Sequence, residues 1–415
     1  MVNRKTPLLL FCLLFIGFAS CKKSTVTPHS GPGKDLVLSA IEQQKVTSDN
    51  AFTLSLFKNL DSANTGGVNL FASPLSVSFA LGMTSNGANG ATLDAFKKVL
   101  DFNTLTPAQI NTYYQTLLTN LPGLDPNTTV KIANSIWYRQ GFNVASQFLQ
   151  TNSTYFNAKV QALNFSDPSS VNTVNNWVSD QTNGAIPSII NAIQPNDMMY
   201  LVNAIYFKSI WNEKFDPAKT IPLPFTLADN SQVTTSFMDG KIDYKRFDNS
   251  EVHVFELPYS NNRYSMVIAM PATGITVQQL AAGLDSAKWN LWMNSLFATN
   301  SELKLPKFKF SYSINLNNPL TELGLGIAFS SNADFSGIST GLPLQITRVD
   351  HKAYIDVDES GTTAAAATVV VVGTSVSANP PPTVIDHPFI FAIRQVNTGL
   401  ILFTGVMNNP LQSGS

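Results

Sequence analysis

Residues Glu359–Pro382 read E-S-G-T-T-A-A-A-A-T-V-V-V-V-G-T-S-V-S-A-N-P-P-P, and the reading of this stretch decides the fold. No charged residue stands between Ser360 and Ile385. Small Gly, Thr and Ala residues come first, a valine run follows, and prolines close the segment. A membrane-spanning helix wants roughly 20 strongly apolar residues. Gly373, the Ser and Thr positions and Pro380–Pro382 interrupt any such span. β-Branching suits the valines to a pleated strand and makes them mildly unfavourable in a helix. The prolines cannot donate to a ladder, so a strand must stop before them. An uncharged, β-prone segment of this kind is a buried strand, an aggregation hazard, or a strand held outside a sheet with a place waiting inside it.

The flanks favour the third option. Upstream, Arg348–Glu359 (R-V-D-H-K-A-Y-I-D-V-D-E) alternates Ala353, Ile355 and Val357 with Tyr354, Asp356 and Asp358, a period-2 strand with one polar face. Downstream, His387–Pro410 reads as two apolar strands around a turn at Asn397–Gly399. Together these pieces closely resemble the C-terminal region of the serpins, serine protease inhibitors that work by loop insertion. The residues that carry the likeness are His351-Lys352-Ala353, Asp358-Glu359-Ser360-Gly361-Thr362, Ala364–Ala367 and His387-Pro388-Phe389. The resemblance implies an α+β fold, one large domain whose main sheet accepts Gly361–Val372 as an added strand. It also implies that Glu359, Gly361, Thr362, Ala364, Ala365, Ala366 and Ala367 form the hinge of an exposed reactive-centre loop spanning about 359–382.

Two further stretches match the family. Asn69–Phe96 reads as a short strand, a helix started at Ser73-Pro74, and a glycine-rich turn into another helix. Leu201–Phe215 (L-V-N-A-I-Y-F-K-S-I-W-N-E-K-F) combines a buried strand with an aromatic exit. By resemblance Ser73, Ser76, Asn203 and His351 belong to the "shutter" beneath the sheet. Trp211 belongs to the "breach", where the loop enters. The residues alone also permit plainer roles, a helix N-cap for Ser73 and a large core residue for Trp211, and both readings can hold together.

At the other end, Asn3-Arg4-Lys5 and the short apolar run to Phe18 form a secretory signal. It closes on Phe18-Ala19-Ser20-Cys21, which resembles a bacterial lipobox with Cys21 as the lipidated first residue of the mature chain. An ordinary signal cut nearby is the alternative. The expected organisation is a signal over 1–20, a flexible Pro/Gly-rich tether over 21–35 and the folded domain over 36–412. Cys12 lies in the removed segment, so no disulfide is expected, and a large core must supply stability. Within the domain, helices are expected at Ala51–Leu60 with Ser48 or Asp49 as N-cap, at Thr106–Leu121, Phe148–Tyr155 and Val171–Thr182. Strands are expected at Val130–Trp137, Val252–Pro258, Tyr264–Met270 and Glu302–Phe310.

The 415 residues carry a formal net charge of −1, which gives no reason to expect nucleic acid as a partner. Lys97-Lys98 is too little for a polyanion site. Gly337-Ile338-Ser339-Thr340-Gly341 is formally G-x-S-x-G, but polar residues precede it and Leu342-Pro343 breaks any helix after it, so a nucleophile elbow is not expected. His29, His253, His351 and His387 show no metal-ligand spacing, and no metal or cofactor is expected.

The resemblance therefore implies an irreversible suicide-substrate inhibitor rather than an enzyme. A target serine protease, with a cysteine protease as a further partner class, would attack the loop and form an acyl-enzyme. The freed strand would then insert and distort the captured protease. Alternate positions Thr362, Ala364, Ala366, Thr368, Val370 and Val372 are small or β-branched and uncharged, so they can enter a tight sheet interior. Counting the family spacing forward from Glu359 places the specificity residue at Ser375, followed by Val376. Counting back from Pro388 gives Ser377. Thr374, Ser375, Val376 and Ser377 carry no charge or aromatic ring, which points to elastase-like or subtilisin-like enzymes. The expected state is a monomer, extracytoplasmic and anchored in a bacterial membrane. A non-inhibitory surface binding protein, a serine hydrolase acting through Ser339 and an adhesive lipoprotein are the competing readings.

Overall fold

The computed structural model describes residues 32–102, 104–362 and 382–413. Its strands are β1 Leu70–Ala72, β2 Thr128–Arg139, β3 Lys159–Leu163, β4 Met199–Ile210, β5 Ile221–Thr226, β6 Gln232–Asp248, β7 Val252–Pro258 and β8 Tyr264–Pro271. They continue as β9 Phe297–Pro306, β10 Phe308–Asn315, β11 Asp350–Asp358, β12 Gly361–Thr362, β13 Thr383–Val384, β14 Phe389–Gln395 and β15 Ile401–Met407. The longer helices are α1 Ala40–Ala63, α2 Pro74–Ser85, α3 Gly90–Val99, α4 Pro107–Asn120, α5 Ser146–Phe156, α6 Ser169–Gln181, α7 Val277–Ala282 and α8 Ser286–Ser295.

Two of the expected boundaries need correction. Helix α1 starts between two and three turns before the expected cap, because Ser39 and Glu42 form a capping box: the Glu42 N–H reaches Ser39 Oγ and the Ser39 N–H reaches Glu42 Oε2. Ser48 and Asp49 lie inside the helix and are buried, with Asp49 accepting from Lys45, Tyr113 and Ser78. The expected single strand over Glu302–Phe310 is two. At Lys307, just after Pro306, the chain leaves one sheet for the other.

The main sheet runs β10-β11-β12-β4-β2-β3, and the larger sheet runs β1-β15-β14-β8-β7-β6-β9-β13, with β5 beside β6. Between them lies an apolar layer in which Phe71 stacks on Phe391 and Phe403 while Phe308 meets Phe389 and Phe391. Strand β4 serves two cores by alternation. Ile205 and Phe207 face this layer, whereas Val202 and Ala204 face a second cluster with Trp137, Val174 and Val178 beneath α6. Strand β11 keeps its period-2 pattern, with His351, Ala353, Ile355 and Val357 buried. Helices α1 and α2 pack on β15, and Ser73 sits at the N-cap of α2, accepting from the Ser76 N–H.

Candidate functional site

Strands β11 and β4 are not bonded to each other among the described residues. The two residues of β12 stand between them at one end of the sheet, antiparallel to both. Thr362 opposes Val357 and Ser209, and Gly361 opposes Asp358 and Ile210. Glycine is needed at 361 on two counts. Its φ is 152°, and a Cβ there would lie 2.0 Å from the Ser209 carbonyl oxygen. The turn into β12 is closed by Asp358 Oδ1, which accepts from the Ser360 N–H at 2.8 Å and the Gly361 N–H at 3.3 Å. Burial raises the Asp358 carboxyl above its ordinary range, partly offset by those backbone bonds.

Side chains fix the two residues in place. Trp211 donates Nε1–H to the Asp358 carbonyl at 2.9 Å and its backbone N–H to the Ser360 carbonyl at 2.9 Å. Its ring stacks on Tyr259 with centroids 4.6 Å apart and planes 6° from parallel. Tyr259 shares a 2.5 Å hydrogen bond with Thr362 Oγ1, and both side chains are buried. Glu359 accepts from Lys307 Nζ at 2.7 Å and Thr220 Oγ1 at 2.6 Å, while the Phe215 N–H holds its carbonyl. Burial alone would raise the Glu359 carboxyl, but the bonds from Lys307 and Thr220 outweigh it and hold it below its usual range. Directly beyond Thr362, Ile205, Phe207 and Ile355 line a small cavity between the two strands.

The second constellation lies midway down the sheet. His351 on β11 accepts the Ser73 N–H at Nε2, 3.0 Å away, and Ser73 Oγ donates to the Leu402 carbonyl at 2.8 Å. Accepting at Nε2 requires an unprotonated nitrogen there, and full burial depresses this imidazole to a pKa of about 4, so it is neutral at physiological pH. On β4, Asn203 Oδ1 accepts from Ser76 Oγ while its Nδ2 donates to Asn134 Oδ1 at 2.6 Å. Asn134 in turn donates to the Phe156 carbonyl at 2.7 Å. Strands β11 and β4 are thus each bonded to the first turn of α2 rather than to one another.

Gly361–Thr362 thus forms a two-residue strand seated between parted neighbours. The serpin family model, described as Serpin (serine protease inhibitor), matches residues 47–410. This chain is a serpin. It is 32% identical to the leukocyte elastase inhibitor of Sus scrofa, over 89% of this serpin and 100% of that protein. The native-state crystal structure of the thermophilic serpin tengpin superimposes with a TM-score of 0.81 at 32% identity, covering 91% of this chain and 97% of that one. Human thyroxine-binding globulin complexed with thyroxine gives a TM-score of 0.82 at 27% identity, covering 90% and 100%. The family contains protease inhibitors and at least one ligand-binding member.

Of the residues singled out from sequence, Ser73, Ser76, Asn203 and His351 meet in one hydrogen-bonded group, and Trp211, Glu359, Gly361 and Thr362 meet in the other. Ala364–Ala367, Thr374–Ser377 and Cys21 lie outside the described residues. Sequence reasoning missed Tyr259, Thr220, Lys307 and Asn134. All four are distant in sequence from the partners they hold, and none stands in a motif. Ser339 is buried and accepts only the Gly341 N–H, at 3.3 Å, with no histidine or carboxylate bonded to it among the described residues. The first glycine of that segment, Gly337, serves packing: a Cβ there would meet the Gly87 carbonyl oxygen at 2.9 Å.

Proposed function

We propose that this serpin inhibits serine proteases with small-residue preference, elastase-like or subtilisin-like, by loop cleavage and insertion. The observation that carries the reading is β12, already paired on both sides with the strands that would receive the rest of the loop. Extending both registers sets Ala364 between Ile355 and Phe207, and Ala366 between Ala353 and Ile205. Thr368 then arrives between His351 and Asn203, and Val372 reaches the level of Met199, where β4 begins. The run Gly361–Val372 therefore matches the 12-residue length of β4. About a dozen residues would exchange solvated amides for ladder bonds at roughly 0.5–1.5 kcal/mol each, a drive on the order of 10 kcal/mol before valine burial adds to it.

In this reading Trp211 with Tyr259 forms the breach, and Ser73, Ser76, Asn203 and His351 form the shutter. Cleavage falls within Thr374–Ala378, and Cys21 carries a lipid that holds the serpin on a bacterial membrane, outside the cytoplasm. Elastase-like specificity draws support from the similarity to a leukocyte elastase inhibitor and from the uncharged Thr374–Ser377. Incubation with pancreatic elastase should give a denaturant-stable complex, and mass spectrometry of the released C-terminal peptide should begin it between residues 375 and 378. Cleavage without a complex would assign the protein to the non-inhibitory, ligand-binding branch. Cys21→Ser should move the protein from the membrane to the soluble fraction, and an unlipidated, soluble wild type would overturn the anchor.

A further inference from the structure

The first described residues of the domain are strapped to one end of it. The Lys34 N–H donates to the Leu124 carbonyl at 2.7 Å, and Arg263 donates to the Gly33 carbonyl at 2.9 Å while pairing with Asp35 at 2.7 Å. The Leu36 side chain is 2% exposed, and its backbone exchanges two hydrogen bonds with Asn397. Gly33 lies against Arg263 and Leu124 so closely that a Cβ would meet Arg263 Cγ at 2.6 Å. The three anchoring points are the turn before β2, the β7–β8 turn and the β14–β15 turn. The same β7–β8 turn carries Tyr259, the partner of Thr362 and Trp211, and its Ser260 bonds Asp125 beside Leu124. Strand β13, where the chain resumes after the loop, pairs with β9 at Leu303–Lys304, close before Lys307, the partner of Glu359. Strap and both described ends of the reactive loop therefore share one end of the molecule. The C-terminus does not: β15 runs away from the β14–β15 turn, and Asn408 and Asn409 are bonded to Asn69 at its far end.

We infer that the membrane anchor tethers this serpin by the end that bears its reactive loop, so that a lipid surface lies beside the loop and shadows it. The inference rests on the anchored reading of Cys21. From Cys21 to Gly33 is twelve residue steps, which reach at most about 40 Å. A protease domain of about 250 residues has a radius of gyration of about 18 Å and so a diameter of about 45 Å. A soluble protease must squeeze between membrane and loop, whereas one held at the membrane surface meets the loop in place. Anchored inhibitors of this geometry are matched to surface-bound proteases.

The test uses Cys21 as the sole thiol of the chain from residue 21 onward. The unlipidated chain is coupled through Cys21 to phosphatidylcholine vesicles bearing a maleimide lipid, and the rate of loop cleavage by soluble elastase is measured. A second protein, Cys21→Ser with Ser413→Cys, is coupled by the opposite end. Coupling through Cys21 should slow cleavage at least about fivefold, the order of effect that steric exclusion worth 1 kcal/mol produces, and coupling through residue 413 should leave it unchanged. Equal rates for both, slowed or not, would overturn the inference. Loop cleavage reads the geometry whether or not a stable complex follows. Mass spectrometry of the native protein decides lipidation separately.

Discussion

One end and the centre of the path a strand would follow through the main sheet are held by different means. At the Trp211 end, the parted strands β11 and β4 are bridged by the chain's own Gly361–Thr362, with backbone bonds on both sides. At the centre, His351 and Asn203 reach down to Ser73 and Ser76, and no ladder bond joins their strands among the described residues. On the proposed mechanism, the difference indicates where resistance to insertion would reside. The centre can admit a strand without breaking a ladder, because its holding contacts run to α2 below. The Trp211 end is occupied by Gly361–Thr362 and has no room for a Cβ at 361.

The sharpest way to break that comparison is to charge the occupied end. Thr362 is 2% exposed and bonded to Tyr259, so Thr362→Arg must bury a cation with no carboxylate facing it at that bond. Such burial costs several kcal/mol, and every factor of ten in relative rate needs only about 1.4 kcal/mol. The intact variant escapes that cost by leaving Gly361–Thr362 outside the sheet, so it should fold, be cleaved at the same bond and release active protease, with inhibition falling by about a hundredfold or more. Wild-type protein, once cleaved, should gain markedly in thermal stability, and the variant should gain less. If Thr362→Arg inhibits with wild-type stoichiometry, insertion through this end is not how the protein works.

The centre answers to pH. His351 has a folded pKa of about 4 against 6.5 when free, so the unfolded chain takes up a proton that the folded chain refuses. Its contribution to stability is complete above pH 6.5 and declines as pH falls toward 4, by about 3 kcal/mol over that window at 1.36 kcal/mol per unit. Elsewhere, His387 runs the other way. Burial would lower its pKa, but Asp386 and the Pro271 carbonyl face its two nitrogens and raise it, so its contribution is present at low pH and lost as pH rises. The comparison must therefore be made by difference. Denaturant unfolding at pH 7 and pH 5 should show a smaller acid loss in His351→Gln than in wild type. An equal loss would mean that the centre is not held by a neutral imidazole.

Much of this was legible in advance because the governing signals are local. The alternation in Arg348–Glu359 became β11, Ser73-Pro74 became a capped helix start, and Asn397–Gly399 became the β14–β15 turn. The family motif set Glu359, Gly361 and Thr362 in the hinge of an exposed loop, yet all three are buried, because Gly361 and Thr362 fill the gap between β11 and β4. What escaped were pairings between distant segments. Tyr259 follows an ordinary strand and nothing near it announces Trp211 or Thr362 as neighbours. Lys45 and Asp49 look like a surface pair one helical turn apart, yet both are buried, with Lys45 lying over the Phe102 ring. Burial of that pair is a property of α4 and the packing around it, which no local pattern encodes.

The smallest expected effect separates steric fit from charge at the occupied end. Lys307 pairs with Glu359, but its side chain is 37% exposed, so solvent screens the interaction and a value of about 0.5–1 kcal/mol is the reasonable scale. In Lys307→Ala the Glu359 carboxylate keeps its bond from Thr220 and its carbonyl keeps the Phe215 N–H. Gly361 and Thr362 keep every ladder bond. Hinge occupancy should fall by no more than about fivefold, and the rate of inhibition should change by a similar factor. Trp211 fluorescence can follow the loss, since its indole N–H is bonded to the Asp358 carbonyl just before β12. Raising the salt concentration should bring wild type toward the variant, because salt screens the partly exposed Lys307–Glu359 attraction that the variant lacks. Should Lys307→Ala cost as much as Thr362→Arg, the ion pair and not the close fit around Gly361 and Thr362 holds this end of the sheet, and the contrast between this end and the centre becomes one of charge.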